Sequence, residues 1–324
     1  MGYVVGEKIL DDEYNAFVNN SSAPYGYNTI AGDGAGPRGL GQAELPVVVA
    51  GTQFINASNW NALFAGMDNI ANHTNDSLTA RGQVTAGDPI KIKSAVAADL
   101  LTLANSVAGG SVNATALTES SELRSAVASA RFSATHIVEH SVTFASGDHL
   151  RYFFNAGGKI RIQLTRNANG GGSATDKDDS VDELISAMGN FDIGAQVSTR
   201  SGSGESLQTN GLANGVDDLG TSYTTLMVLR QSNGTYTSMD LKIEAKIDNA
   251  TYGTGVKVTV KCSVIDADSG DILYTDGNLS SIDVNENFIG TTDWALHTMN
   301  PTTAQGLNPV YGISASAIES NNVA

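Results

Sequence analysis

The sequence predicts an α+β protein: a small N-terminal helical region, then a mainly antiparallel, β-sandwich-like domain, with extended terminal arms. Three observations predict this. Between residues 56 and 107 the apolar residues recur at helical spacing. From about residue 134 to 265 they alternate with polar ones, as in strands solvated on one face. Runs rich in glycine, asparagine and serine flank and interrupt both parts. A chain of 324 residues is long enough for roughly two domains with real cores. We place the boundaries at 1–50 (arm and short helix), 51–130 (helical docking region), 131–290 (β-rich domain) and 291–324 (C-terminal arm).

Asp11 or Asp12 caps a first short helix whose buried stripe is Tyr14, Phe17 and Val18. Residues 19–41, NNSSAPYGYNTIAGDGAGPRGLG, predict a long arm that is stable only when packed on something else. A short apolar run, ELPVVVA, follows. INASNWNALFAGMDNIANHT is the strongest helix, with Trp60, Leu63, Phe64, Met67, Ile70 and Ala71 on one face. Ser58 or Asn56 caps it, and His73 lies near its C-terminus, where a cation suits the helix dipole. Asp88-Pro89 punctuates the chain. Ser94 then caps a second helix carrying Val96, Leu100, Leu103 and Val107, which Gly109-Gly110 ends. Residues 118–130 are weakly helical and connect the two parts.

The β-rich part opens near Ala134, where Val138, Val142 and Phe144 share a face with His140. The stretch from Asp148 to Arg166 predicts a hairpin, and we expect the β-domain to be organised around it. Leu150, Tyr152 and Phe154 alternate before a turn at Asn155-Ala156-Gly157-Gly158, with Arg151 and Phe153 on the other face. Ile160, Ile162 and Leu164 alternate after the turn. Beyond a glycine-rich loop, Val181, Leu184, Ile185 and Met188 predict a short amphipathic helix. Asp178, Asp179 and Asp182 sit at its positive end, and Gly189 or Asn190 stops it. Residues 198–220 are polar and glycine-rich. Strands follow over 223–229, 236–247 and 256–265. In the second, Leu241, Ile243, Ala245 and Ile247 face in and Lys242, Glu244 and Lys246 face out. In the third, Val256, Val258, Val260, Cys262 and Val264 face in and Lys257, Thr259, Lys261 and Ser263 face out. Residues 272–274 add a strand. The remainder reads as an arm anchored by Trp294 and Tyr311.

The formal net charge of −16, from 34 acids against 18 bases, repels a phosphate backbone and argues against direct nucleic-acid contact. The apolar runs fall short of the ~18–20 residues that span a bilayer. The start, MGYVVGEKILDDEY, lacks the basic segment of a secretory signal, and Gly6 stands where a myristoylation signal carries Ser or Thr. Cys262, the single cysteine, reads as a small buried hydrophobe and excludes an intrachain disulfide.

Chemistry-bearing patterns have structural readings. His136 and His140 have the spacing of a helical metal pair, but on a strand they stand ~13 Å apart, as ordinary strand-surface or half-buried residues. Asp266–Asp271 resembles the opening of a calcium loop without its later bidentate Glu, so we read a turn, with a cation site as the alternative. The runs 32–41 and 170–172 lack the lysine of a phosphate loop, and SGSGES lacks the last glycine of a nucleophile elbow. Asp178, Asp179, Asp182 and Glu183 are explained by a helix start, not by a glycosidase pair. We therefore expect no catalytic, cofactor-binding or metal-binding residues.

The block from Arg151 to Gln163, RYFFNAGGKIRIQ, resembles the FFN-[AS]-GG-x-IR signature of a group of uncharacterised virion structural proteins of tailed double-stranded DNA phages, especially marine and cyanobacterial ones. INASNWNALFAGMDNIANHT is similar to that family's N-terminal helix, and DDLGTSYTTLMVLRQ and YTSMDLKIEAKID to its later strands. The resemblance spans about residues 50–290, with solvent-face departures at Lys159 and Gln163. It implies a non-enzymatic subunit at a neck, tail, baseplate or fibre-attachment position in the virion. Its partners would be copies of itself and other virion proteins, which would order the arms. The structural and assembly residues expected on this basis are Tyr152, Phe153, Phe154, Asn155, Gly157, Gly158, Ile160 and Ile162, with Trp60, Leu63, Phe64 and Met67 packing the helical part. The alternative is a module of a fibre or adhesin that binds a host-surface glycan in a groove lined by several of Tyr223, Tyr236, Tyr252, Tyr274 and Trp294. A cell-wall hydrolase is the third reading, and no carboxylate pair in the sequence favours it.

Overall fold

The computed structural model describes residues 11–49, 54–85, 93–128, 135–167, 176–232, 236–267 and 291–323. Its helices are α1 (Asp11–Asn19), α2 (Tyr27–Ala31), α3 (Ala57–Thr74), α4 (Lys93–Ala108), α5 (Gly147–Asn155) and α6 (Asp176–Met188). The strands are β1 (Leu117–Glu119), β2 (Arg124–Val127), β3 (Thr135–Phe144), β4 (Lys159–Asn167), β5 (Phe191–Ile193) and β6 (Ser198–Arg200). They continue as β7 (Ser206–Asn210), β8 (Thr224–Arg230), β9 (Met239–Ile247), β10 (Lys257–Asp266), β11 (Thr291–Pro301) and β12 (Ile313–Val323).

The helical part follows its apolar stripes. Asn56 is the N-cap of α3: its side chain accepts from the Asn59 backbone N–H while the Asn59 side chain accepts from the Asn56 N–H. Trp60, Leu63, Met67 and Ile70 are fully buried, and Phe64 packs at the margin of the same cluster. Trp60 is ringed by Tyr14, Phe17 and Phe64 at centroid distances of 5.5, 6.0 and 5.8 Å. Val96, Leu100, Leu103 and Val107 of α4 complete this core. His73 differs from expectation. It is buried at the end of α3, its Nε2 donates to the Ala156 carbonyl at 2.9 Å, and burial lowers its pKa, so it is a neutral tie and not a cation on the dipole.

Twelve strands form two six-stranded antiparallel sheets. Sheet A has the order β1-β11-β4-β5-β6, with β2 also on β11; sheet B has the order β12-β3-β10-β9-β8-β7. The inward residues expected on β9 and β10 are buried, Cys262 among them, and one core joins both sheets with α5 and α6. Helix α6 touches β4 of one sheet and β8 and β9 of the other.

The expected hairpin is half wrong. Its second arm is β4, with Ile160, Ile162 and Leu164 buried, but its first arm is helix α5. The Ser146 hydroxyl caps α5 by accepting from the His149 N–H, and Asp148 lies in the first turn. Leu150, Phe153 and Phe154, at i, i+3 and i+4, form the core face. Asn155-Ala156-Gly157-Gly158 ends the helix. The Gly158 N–H bonds the Phe153 carbonyl and the Gly157 N–H that of Phe154, the pairing of a Schellman cap. Gly157 has φ +79°, and this left-handed demand is common to helix caps and hairpin turns. Phe153 and Phe154 stack edge-on at 5.0 Å, with Phe144 and Tyr311 at 5.2 Å from Phe153.

Two further segments depart from expectation. Residues 118–130, read as a helical connection, contain β1 and β2, and the supposed C-terminal arm contains β11 and β12. β11 lies inside sheet A between β4 and the β1/β2 edge, with Trp294 and Leu296 buried. Its other inward positions, Thr292 and Thr298, are polar, which hid the alternation. The expected strand at 272–274 lies outside the described residues, as do Asp88-Pro89 and the glycines 170–172.

His136 and His140 are fully buried where the sheets meet, not half-exposed. The His140 Nε2 donates to the Trp294 carbonyl at 3.0 Å. His136 accepts at Nδ1 from the Thr292 hydroxyl at 2.5 Å and donates from Nε2 to the Asn321 side-chain oxygen at 3.0 Å. The Asn321 amide in turn donates to the Val127 carbonyl, so β3, β11, β12 and β2 meet around one imidazole. Burial holds both imidazoles below their usual range, His140 down to about 4, and Asp293 is the carboxylate that acts on both from β11. A depressed folded pKa means that the fold favours the neutral form. This stabilisation is complete above the unfolded imidazole pKa of about 6.5 and is lost as pH falls from there towards about 4. Urea unfolding should show the wild type losing stability over this window, and the His136→Gln/His140→Gln variant should show a shallower loss; equal slopes would refute the assignment.

Candidate functional site

Arg151, Tyr152 and Asn155 of α5 converge on one joint. Helix α5 turns Phe153 and Phe154 into the sandwich core and Arg151, Tyr152 and Asn155 towards the glycine-rich segment 33–41. The Arg151 guanidinium, 4% exposed, donates to the carbonyls of Asp33 and Arg38 and to the Asp148 carboxylate. The Asn155 amide donates to the carbonyls of Gly36, Arg38 and Gly39 at 3.2, 3.0 and 3.1 Å, and its oxygen accepts from the Tyr252 hydroxyl at 3.0 Å. The Tyr152 hydroxyl donates to the Asp33 carboxylate at 3.1 Å. Gly39 has φ +93°, and a Cβ there would lie 2.7 Å from both the Arg151 guanidinium and the Asp33 carbonyl. Asp217 acts on Tyr252 from a neighbouring loop; burial and the adjacent Asp218 raise its pKa to about 6.

The arm at 19–41 therefore packs against its own chain, where the sequence suggested ordering by neighbours. Further ties join the helical part to the sandwich. Gln42 and Asn308 exchange two hydrogen bonds of 2.8 Å, and His73 reaches Ala156. Of the structural residues expected from the sequence, Tyr152, Phe153, Phe154 and Asn155 lie on α5, Gly157 and Gly158 in its C-terminal cap, Ile160 and Ile162 on β4 in the sandwich core, and Trp60, Leu63, Phe64 and Met67 in or against the helical core. Sequence reasoning missed Arg151 as the hub and the segment 33–41 as its ligand, because they lie more than a hundred residues apart.

Other candidates resolve locally. Asp266 accepts from Lys177 at 2.6 Å in a buried ion pair that ties β10 to α6; residues 268–271 lie outside the described residues. Burial pushes the Cys262 thiol up in pKa, as expected for an unreactive core residue. No group of three or more His, Cys, Asp or Glu among the described residues is placed to hold a metal ion. No described helix is long and apolar enough to cross a membrane. The aromatic groove expected for glycan binding does not form from its proposed members: Trp294 and Tyr236 are buried in the core, Tyr252 is engaged by Asn155, and Tyr274 lies outside the described residues.

The outer face of sheet B carries the polar phases of β3, β9 and β10. Glu244 bridges Lys242 and Lys261 at 2.9 and 2.7 Å; burial opposes its ionisation, but the two lysines hold it below the usual carboxylate range. The Tyr223 ring lies 4.3 Å from the ammonium groups of both Lys246 and Lys261. Burial first, then Glu139, raises the pKa of its hydroxyl. Beside this layer lies an open cavity of about 310 Å³, lined by Glu139, Thr221, Lys246, Ile247, Asp248, Lys257, Thr259 and Glu319.

Comparison of the chain with family models, curated proteins and solved structures finds no match.

The joint can be tested directly. Asn155→Ala leaves the Gly36 and Gly39 carbonyls and the Tyr252 hydroxyl without their partner, while Arg38 keeps Arg151, which should cost about 2–4 kcal/mol in urea unfolding. It should also expose the segment 33–41 to limited proteolysis. A loss under about 0.5 kcal/mol would show that the joint holds nothing together.

Proposed function

We propose that the chain is a non-enzymatic structural subunit of a tailed-phage virion, placed at a neck, tail, baseplate or fibre-attachment position and assembled through contacts with copies of itself and other virion proteins. One observation carries this reading. The FFNAGG block, which bears the resemblance to virion proteins, is engaged in joinery: its aromatics fill the sandwich core, and its polar side chains, with Arg151, fasten the N-terminal segment.

The surface supports it. Sheet B ends in β7 and β12 and sheet A in β6 and in β1 and β2, and no described strand pairs beyond them. Edge strands present backbone donors and acceptors that a neighbouring subunit can cover. Val47, Val49 and Phe54, the last 93% exposed, add apolar contact surface close together in the chain. Mass spectrometry of purified virions from the source should detect this polypeptide as a stoichiometric component, and virions lacking it would overturn the reading.

A further inference from the structure

We infer that the cavity on the outer face of sheet B is a binding site for an uncharged, hydroxyl-rich saccharide. The inference does not depend on where in a particle the chain sits.

The lining offers hydrogen-bonding groups of both senses within one concavity. Lys246 and Lys257 supply donors, Glu139 and Glu319 supply acceptors, and the hydroxyls of Thr221 and Thr259 supply both. Their commitments elsewhere are uneven. Glu319 accepts from Ser141 at 2.7 Å and sits 3.5 Å from Lys257. Lys246 lies over the Tyr223 ring instead of in an ion pair, and Glu139, which forms no ion pair within 4 Å among the described residues, interacts with the Tyr223 hydroxyl. Lys242 and Lys261, a short way along the same face, are both pinned by Glu244. The cavity is thus where this face gathers donors and acceptors held by longer ionic contacts than the Glu244 bridges. Its volume of about 310 Å³ is at the lower end for small-molecule sites.

Elimination narrows the class. A phosphate or polyanion would meet Glu139, Asp248 and Glu319, three carboxylates against two ammonium groups. A peptide adding to a sheet needs a free strand edge, but the lining on strands belongs mostly to β3, β9 and β10, whose backbones are paired on both sides, and the edge strand β12 contributes Glu319 alone. A peptide side chain needs an apolar pocket, and Ile247 is the one aliphatic residue in the lining. A cation needs converging ligands, and none are grouped among the described residues. A sugar needs several donors and acceptors and no deep apolar pocket, which is what these residues provide.

Two-dimensional NMR of the full chain, titrated separately with chitotriose, maltotriose and tri-galacturonate, tests this. At least one neutral trisaccharide should shift the resonances of Thr221, Lys246, Lys257 and Thr259, and tri-galacturonate should not. Lys246→Met and Glu139→Gln should each weaken that binding about tenfold, the scale of one lost hydrogen bond to a charged group. Lys242→Met, on the same strand but outside the cavity, should leave it unchanged, and thermal unfolding should show all three variants folded. Silence towards both neutral sugars, binding of the acidic sugar alone, or equal weakening by Lys242→Met would overturn the assignment. None of these outcomes bears on whether the polypeptide is found in virions.

Discussion

The structure depends on the capture of one glycine-rich segment by two side chains of a nine-residue helix. The need is mutual. A guanidinium that is 4% exposed is costly to bury without acceptors, and an irregular segment carries carbonyls that no ladder satisfies. Arg151 and Asn155 supply donors in a fixed fork and a fixed amide plane, and the segment supplies the carbonyls of Asp33, Gly36, Arg38 and Gly39. Because the opposite face of α5 fills the sandwich core, the helix is the one element seated in one core while holding the strap of the other. His73, bonded to Ala156 at the end of the same helix, fastens α3 to this point.

The legible parts of the sequence were those in which an element buries a single face against one neighbour. The stripes of α3 and α4 and the alternation of β9 and β10 are of this kind; their inward aliphatics are buried, although Glu244, Thr259 and Ser263 of the outward phase are covered as well. Helix α5 was misread because two aromatics before Asn-Ala-Gly-Gly satisfy either period. The discriminating signals were local: Ser146 three residues before His149, and Leu150, Phe153 and Phe154 at i, i+3 and i+4. β11 escaped because threonines hold half of its inward positions, and β12 because an edge strand has little apolar pattern to show. The joint itself was not legible, since its partners are 113 to 119 residues apart and one of them contributes mostly backbone, with the Asp33 carboxylate. For the outer face of sheet B, the outward phase of lysine and glutamate was readable, but the concavity depends on the register between strands.

Polar groups are used differently on the two faces of sheet B. On the inner face, His136 and His140 bond Thr292 of sheet A, Asn321 and the Trp294 carbonyl, a neutral network along the seam between the sheets. On the outer face, carboxylates and ammonium groups alternate over Tyr223. The strict two-residue period of β3, β9 and β10 separates these chemistries within a single layer.

The pairing of β3 has a consequence for how the chain is made. Its inner face is completed by Thr292, 156 residues later, and its outer face by Glu319, 178 residues later. During synthesis β3 leaves the ribosome long before either partner exists, so neither sheet can close until nearly all of the described chain has been translated. Contacts this distant make for slow folding from an ensemble with unprotected strand edges. A cell making many copies at once therefore accumulates incomplete chains during that interval, and chaperone capacity, more than the stability of the finished sandwich, would set the yield.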